Sequence, residues 1–523
     1  MTRKLPEELE IELGLDEPSD TASLRAKISR KLGVRAELLP EPVVLRRSID
    51  ARRGSVHFHL IVGLGAAPPE ALGGPPPREA KSKGPPVVVV GDGPAGLFCA
   101  YELARHALPV IVLERGKTVQ PRRHDLKALH QRGEVSSDSN YCFGEGGAGT
   151  YSDGKLYTRA HKRGSVRDVI ELLALHGAPE SILVDARPHI GSNRLPKVVT
   201  ALREKLTGVG VDFQFGARVV GLLQQPGRIS GVRLADGREI EARAVVLATG
   251  HSARDVFTLL AEVGVRLEAK AFALGVRIEH PQPLINRIQY GRFASHPLLP
   301  NAAYRVAETV DERGVFSFCM CPGGFVVPAS TEPGELVVNG MSLSRRDSPF
   351  ANSGLVVGVE VSDLERAGFA GPLGGVELQR RIEQACFRAS SGALSAPATR
   401  VTDFLARKAS TTVPETSYIP GLTATDVAPV LDAAGLPLAE RLRGALVAFD
   451  RKLRGYATED AVLIGVESRT SSPVRVPRDP ESLQAPGFAG LYPTGEGAGY
   501  AGGIVSAALD GQRVARAIAA LAT

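Results

Sequence analysis

A chain of 523 residues is too long for one hydrophobic core, which points to two or three domains. Hydrophobic residues make up 43% and charged residues 23%, enough apolar side chain to fill real cores and too much for a disordered chain. The balance of 63 basic against 57 acidic residues is too even to argue for nucleic acid, and five cysteines in a chain this size make no disulfide framework.

The first eighteen residues are charged and alternating and lack the apolar core of a signal peptide, and no later window offers eighteen uninterrupted apolar residues. The expectation is a soluble, cytoplasmic protein with no membrane partner. Residues 9–15 alternate as a strand. Residues 21–33 place Leu24, Ile28 and Leu32 on one helical face and stop at Gly33. Two further strands, 43–50 and 55–64, flank the turn 51–54, so residues 1–63 read as a small βαββ domain. Arg46, Arg47, Arg52 and Arg53 cluster at one end of it. They could meet phosphate, RNA or an acidic partner, but eleven basic against ten acidic residues in this stretch favour a solvated turn or an interdomain contact. Residues 64–86, dense in Pro, Gly and Ala, read as a semi-rigid linker.

Next come four valines, 87–90, and then Gly91, Gly93 and Gly96 at a strand-to-helix turn, with Pro94 and Ala95 opening the helix. A second apolar strand ends at Glu114, next to Arg115. Glycines of this spacing let backbone N–H groups approach a pyrophosphate at a helix N-terminus, and the acid at the second strand's end can accept from ribose hydroxyls. The unit predicts a dinucleotide site.

Later elements point to non-covalent FAD rather than a nicotinamide nucleotide alone. A β-meander around 235–237 leads to a strand closing on Ala248, Thr249 and Gly250, similar to the ATG turn of flavoproteins, and the strand before it would offer Val219 backbone groups to adenine. Residues 490–518 read as strand, glycine turn and helix. This resembles the C-terminal motif of flavoproteins in which an acid accepts from a ribityl hydroxyl, the place taken here by Gly495 and Glu496, and Gly502, Gly503 and Ile504 would aim helix N-terminal N–H groups at the flavin pyrimidine. The glycine-rich segment 140–159 reads as a loop under the cofactor, with Gly147, Gly149, Thr150, Ser152, Asp153 and Lys155 as its contacts. Glu467 and Arg469, just before the last flavin segment, are equally a paired structural network or a substrate-anion site. Cys319 and Cys321 are candidate redox or acid groups, with packing as the bland alternative. Two thiolates with no further Cys or His pair nearby complete no tetrahedral site, so no metal is expected.

The stretches RRSIDARRG, GEGGAGTYSDGKL, HIGSNRLPKVV, FCMCPGGFVVPA, NGMSLSRRDSPFANSG, GVESRTSSPVR and GEGAGYAGGI resemble a bacterial and plastid group of FAD-dependent dehydrogenases with an N-terminal accessory domain. The resemblance runs over nearly the whole chain. It implies an α/β fold in which a glutathione-reductase-like Rossmann domain (87–264 and 456–523) binds FAD and carries an inserted α+β substrate domain (265–455). It also implies an oxidoreductase, and supplies no substrate. The leading expectation is an electron pair or hydride passed between flavin and a small-molecule or carrier-bound substrate. The alternatives are a flavin monooxygenase, or an FAD-bearing regulatory protein that binds RNA or a partner. A single dinucleotide fingerprint leaves NAD(P)H as a transient donor only, and no oligomeric state follows from these patterns.

Overall fold

The computed structural model describes residues 5–65, 72–81, 84–158, 160–391 and 394–522. Parts of the 64–86 linker and the side chain of Arg53 lie outside the described residues. The chain opens with β1 (Glu8–Gly14), α1 (Thr21–Leu32), β2 (Pro42–Asp50) and β3 (His57–Leu64). The three strands form an antiparallel sheet in the order β1-β3-β2. Asp20 caps α1 by accepting from the Ser23 N–H, Gly33 ends it at φ 65°, and Leu24 and Ile28 are buried against the sheet. Arg47 binds this unit to the rest of the chain. Its N–H donates to the Val184 carbonyl at 2.8 Å and its guanidinium pairs with Asp185 at 2.8 Å. Arg52 pairs with Asp50, so two of the four arginines serve local or interdomain contacts.

The second unit is built on β4 (Val87–Val90), α2 (Pro94–Arg105), β5 (Val110–Glu114), α3 (Val119–Arg132), α4 (Val166–Leu175), α5 (Leu195–Thr207) and β6 (Asp212–Phe215). A small antiparallel meander follows, β7 (Val219–Gln225), β8 (Arg228–Leu234) and β9 (Glu239–Glu241), then β10 (Ala244–Leu247) and α6 (Arg254–Val263). Two later strands return to these units: β11 (Glu268–Ala269) pairs antiparallel with the short strand 474–475, and strand 491–493 lies parallel beside β10. The result is a five-stranded parallel sheet with β4 at its centre and apolar cores on both faces, a Rossmann-type α/β architecture. The C-terminal helix (Ile504–Ala522) packs against α2. The contact is close: a Cβ on Gly511 would stand 2.0 Å from the Ala95 carbonyl oxygen. That approach sets the chain's last glycine loop beside its first.

The third unit holds β12 (Phe272–Pro281), β13 (Ala307–Val310), β14 (Arg313–Cys321), β15 (Gly324–Pro328), β16 (Val338–Ser342), β17 (Phe350–Val359), β18 (Ala396–Arg400), β19 (Leu422–Ala424) and β20 (Val462–Glu467). Seven of these form one mixed sheet in the order β13-β14-β17-β12-β20-β18-β19, while β15 and β16 pair as a hairpin. Here the structure differs from the division read from sequence. β20 lies within the stretch 456–523 expected to belong to the flavin domain, yet it is hydrogen-bonded between β12 and β18. Its six residues are all buried, and a strand apolar on both faces needs a sheet interior on both sides.

Candidate functional site

A cleft of about 430 Å³ runs between the parallel sheet and the β14–β16 face. At one end is the turn after β4. Gly91 adopts φ 99°, and a Cβ on Gly96 would lie 1.9 Å from the Gly91 carbonyl oxygen, so this turn excludes larger residues. α2 begins at Gly93 and Pro94 with no side-chain cap. A Cβ at Gly93 would meet only the Gly147 Cα, at 3.9 Å, so the helix N-terminus opens onto free space.

Glu114, at the end of β5, has a second task. Its Oε2 accepts from the Asp92 N–H at 3.0 Å, and its Oε1 accepts from the Gly116 and Gly144 N–H groups, each at 2.9 Å. The carboxylate therefore clamps three backbone segments together while facing the cleft. Beside it, burial first and then Glu114 and Glu145 push the Asp92 carboxyl well above the usual carboxylate range. Arg115 is held by Asp138 and Asp255 and lies over the Phe143 ring. Val219, Thr249 and Gly250 complete this end of the wall.

The glycine-rich loop is fixed by a residue the sequence patterns did not single out. Fully buried Arg122 donates to the carbonyls of Asn140, Tyr141, Glu145 and Gly147 at 2.8–3.0 Å. One arginine fork thus pins a segment with few side chains of its own. Gly147, Gly149, Ser152, Asp153 and Lys155 line the cleft. Thr150 turns inward, its hydroxyl donating to the Glu145 carbonyl at 2.6 Å. The Asp153 carboxylate is taken by Ser342, Arg346 and Lys155, so this side chain ties the loop to the third unit.

At the far end, Glu496 accepts from the Gly503 N–H and lies 3.6 Å from His251 Nε2. Burial raises the Glu496 carboxyl above the ordinary range. The Gly502 N–H donates to the Ser506 hydroxyl at 3.1 Å. Contrary to the expectation from sequence, the N–H groups of both glycines thus have partners within the chain. What Gly502 and Gly503 offer the cleft is open space, since a Cβ on either would meet nothing within 4 Å, and Ile504 begins the helix beside them. Gly495 stands behind the wall, donating from its N–H to Asp510 at 2.8 Å.

The other expected site residues divide between two layers. Cys319 and Arg469 line the cleft, whereas Cys321 and Glu467 lie beneath it. Arg469 is paired with Glu383 and Glu335, which also bind Arg254, forming a buried four-residue network. Its guanidinium is committed to structure even where it meets the cleft. Glu467 pairs at 2.6 Å with Arg277, a residue missed in sequence although an arginine amid the apolar strand 272–281 was a signal. Arg277 is fully buried and also binds Asn352 Oδ1 and the Cys319 carbonyl. Burial, opposed by Arg277, pushes the Glu467 carboxyl up to about 7. Among the described residues no group of His, Cys, Asp and Glu is placed to hold a metal, and no helix is long and apolar enough to cross a membrane.

These features fit FAD: an uncapped helix N-terminus and a glycine turn for a pyrophosphate, a carboxylate at the end of β5, and open glycines at a second helix start.

Comparison with known proteins agrees with the geometry. A family described as FAD-dependent protein, C-terminal domain-like, matches residues 271–470, an FAD dependent oxidoreductase family matches 190–331, and an FAD binding domain matches 86–121. Residues 5–64 match a domain of unknown function. An uncharacterized protein of Clostridium beijerinckii is 41% identical over 97% of both chains. A rifampicin monooxygenase of Streptomyces venezuelae is 32% identical over 31% of each. The solved structure of CtdE in complex with FAD aligns over 83% of this chain and 84% of that one, at 12% identity and a TM-score of 0.32.

Proposed function

Since this chain belongs to the family of FAD-dependent oxidoreductases that includes the Clostridium beijerinckii protein, we propose that it is a dehydrogenase or reductase moving an electron pair between FAD and a small or carrier-bound substrate. Bound in the cleft, FAD supplies the two-electron centre. On this reading Gly91, Gly93, Pro94, Ala95 and Gly96 hold its pyrophosphate at the start of α2. Glu114 meets the adenosine ribose, and Arg115, Val219, Thr249 and Gly250 border the adenine side. Gly147, Gly149 and Ser152 form the floor, Glu496 meets the ribityl chain, and Gly502, Gly503 and Ile504 border the flavin ring. The third unit serves as the substrate domain of a glutathione-reductase-like layout, its inserted part running from β12 through β20.

One observation carries the reading. The cleft is lined not only by the glycine turns and the end of β5 but also by β14–β16, through Cys319 and Asn339, with Lys155 of the glycine-rich loop beside Cys319. On this reading the thiol and the ammonium group lie on the side of the cleft where a substrate would meet the ring. The experiment is anaerobic stopped-flow reduction of the FAD-loaded protein by NADH and by NADPH, followed by mixing with either a quinone acceptor or air-saturated buffer. Flavin reoxidised much faster by the organic acceptor than by air is the expected result. Rapid reoxidation by air with uptake of one oxygen atom into a product overturns it in favour of a monooxygenase, the reading that the rifampicin monooxygenase relative favours.

A further inference from the structure

Cys319 and Cys321 stand two residues apart on β14. On a regular strand such residues have Cα atoms about 6.6 Å apart, near the upper limit for a disulfide. β14 is not regular there. Its pairing with β17 slips between Phe318 and Cys321, so that Cys319 and Met320 together oppose the single residue Ser353. Cys319 itself adopts φ 46°, in the left-handed region that a non-glycine residue enters only when its surroundings enforce it. The bulge bends the strand and turns both sulfurs toward one cation. Lys155 Nζ lies 3.6 Å from Cys319 Sγ and 3.4 Å from Cys321 Sγ. A second cation, Arg277, approaches Cys321 Sγ at 3.5 Å and binds the Cys319 carbonyl at 2.7 Å. Cys319 faces the cleft, while Cys321 is buried behind it.

We propose that Cys319 and Cys321 are a redox-active dithiol that exchanges an electron pair with FAD, with Cys319 as the thiol at the cleft and Cys321 as its buried partner. In the oxidising direction one S–S bond forms between them, two electrons pass to oxidised FAD, and two protons leave. The first proton is lost at Cys319, whose thiolate is balanced by Lys155, and the second leaves Cys321 as the bond closes. The reverse step breaks the S–S bond with an electron pair from reduced FAD and returns both protons. The electrostatics support the assignment of roles. A hydrogen bond from Cys321, and then Lys155 and Arg277, hold the Cys319 thiol well below the ordinary range against the effect of burial, while Cys321 is raised. Two cysteines that merely filled space would need neither the cation between them nor an opening to the cleft. The assignment rests on FAD in the cleft, and is independent of whether the substrate chemistry is that of a dehydrogenase or a monooxygenase.

Anaerobic titration with dithionite tests it directly. After mild oxidation with diamide, the wild-type holoprotein is expected to take up two electron pairs per FAD, and Cys319→Ser or Cys321→Ser only one. Non-reducing peptide mass spectrometry of the oxidised wild type gives a readout free of flavin. The peptide spanning both residues should be lighter by the mass of two hydrogens and refractory to iodoacetamide, with Cys142 as an internal control. One electron pair in wild type and variants alike, or full alkylation of both cysteines after oxidation, overturns the proposal. In Lys155→Met the pH profile of Cys319 alkylation should move to higher pH. The other ionisable groups facing the pair, Asp153, Arg277, Glu467, Glu496 and Tyr304, are left unchanged. An unmoved profile removes Lys155 from the assignment.

Discussion

Replacing Glu114 by alanine separates two contributions that one carboxylate makes. If its role were confined to the cofactor, the variant would lose a charge-assisted hydrogen bond to a ribose hydroxyl, on the order of 1.5–3 kcal/mol or roughly tenfold or more in FAD affinity, with the apoprotein intact. The structure places three backbone N–H groups on the same two oxygens, from Asp92, Gly116 and Gly144, and the residue is only 5% exposed. Each orphaned buried donor costs about 1–3 kcal/mol, so even at the low end the loss is about 3 kcal/mol before any cofactor is added. In a domain of this size that corresponds to a fall of about 6–12 °C in Tm. The assay is thermal unfolding of the apoprotein and the FAD-loaded protein in parallel, with FAD affinity measured by flavin fluorescence. Glu114→Gln should fall between wild type and alanine, because its amide oxygen replaces one acceptor while its NH2 group opposes a neighbouring donor. An apo Glu114→Ala whose Tm stays within about 2 °C of wild type would show that the clamp does not stabilise the fold as argued.

Three further outcomes follow from other parts of the site. Glu496→Asp should retain FAD better than Glu496→Gln, and Glu496→Ala should lose both FAD affinity and roughly 0.5–2 kcal/mol of stability through the freed Gly503 N–H, measured by equilibrium dialysis and urea unfolding. His251 is held down to about 4 by burial and then by Arg469, Arg254 and Lys270, so as pH falls from about 6.5 the unfolded chain takes up its proton first. Stability present above that pH is therefore lost toward pH 4, by up to about 3 kcal/mol, and urea unfolding of apo His251→Asn across this window should show a shallower decline. Arg254→Met leaves Glu383 with Arg469 and the Ser468 hydroxyl and Glu335 with Arg469 and the more distant Arg380, and should cost about 3–5 kcal/mol in the same assay, whereas a loss below ~1 kcal/mol would mean the network is solvated.

What could be read along the chain was whatever neighbouring residues decide among themselves. The run of valines, the spacing of Gly91, Gly93 and Gly96 and the acid at the end of β5 form one strand–turn–helix–strand unit of about thirty residues, whose demands on backbone approach are local. The same holds for α1, where a polar start, a three-to-four-residue apolar spacing and a terminal glycine suffice to define the helix. Packing across long separations decided the rest. Lys155 meets sulfurs 164 and 166 positions away, and Arg277 meets a carboxylate 190 positions away, distances at which no spacing rule operates. β20 joined the mixed sheet because a fully buried strand must find neighbours on both sides, and those neighbours come from residues 272–281 and 396–400. Glu114 shows both levels in one side chain. Its position was legible because it ends a strand, but its hold on Gly144 depends on Arg122 folding a distant glycine loop into reach, where burial makes every unpaired N–H costly.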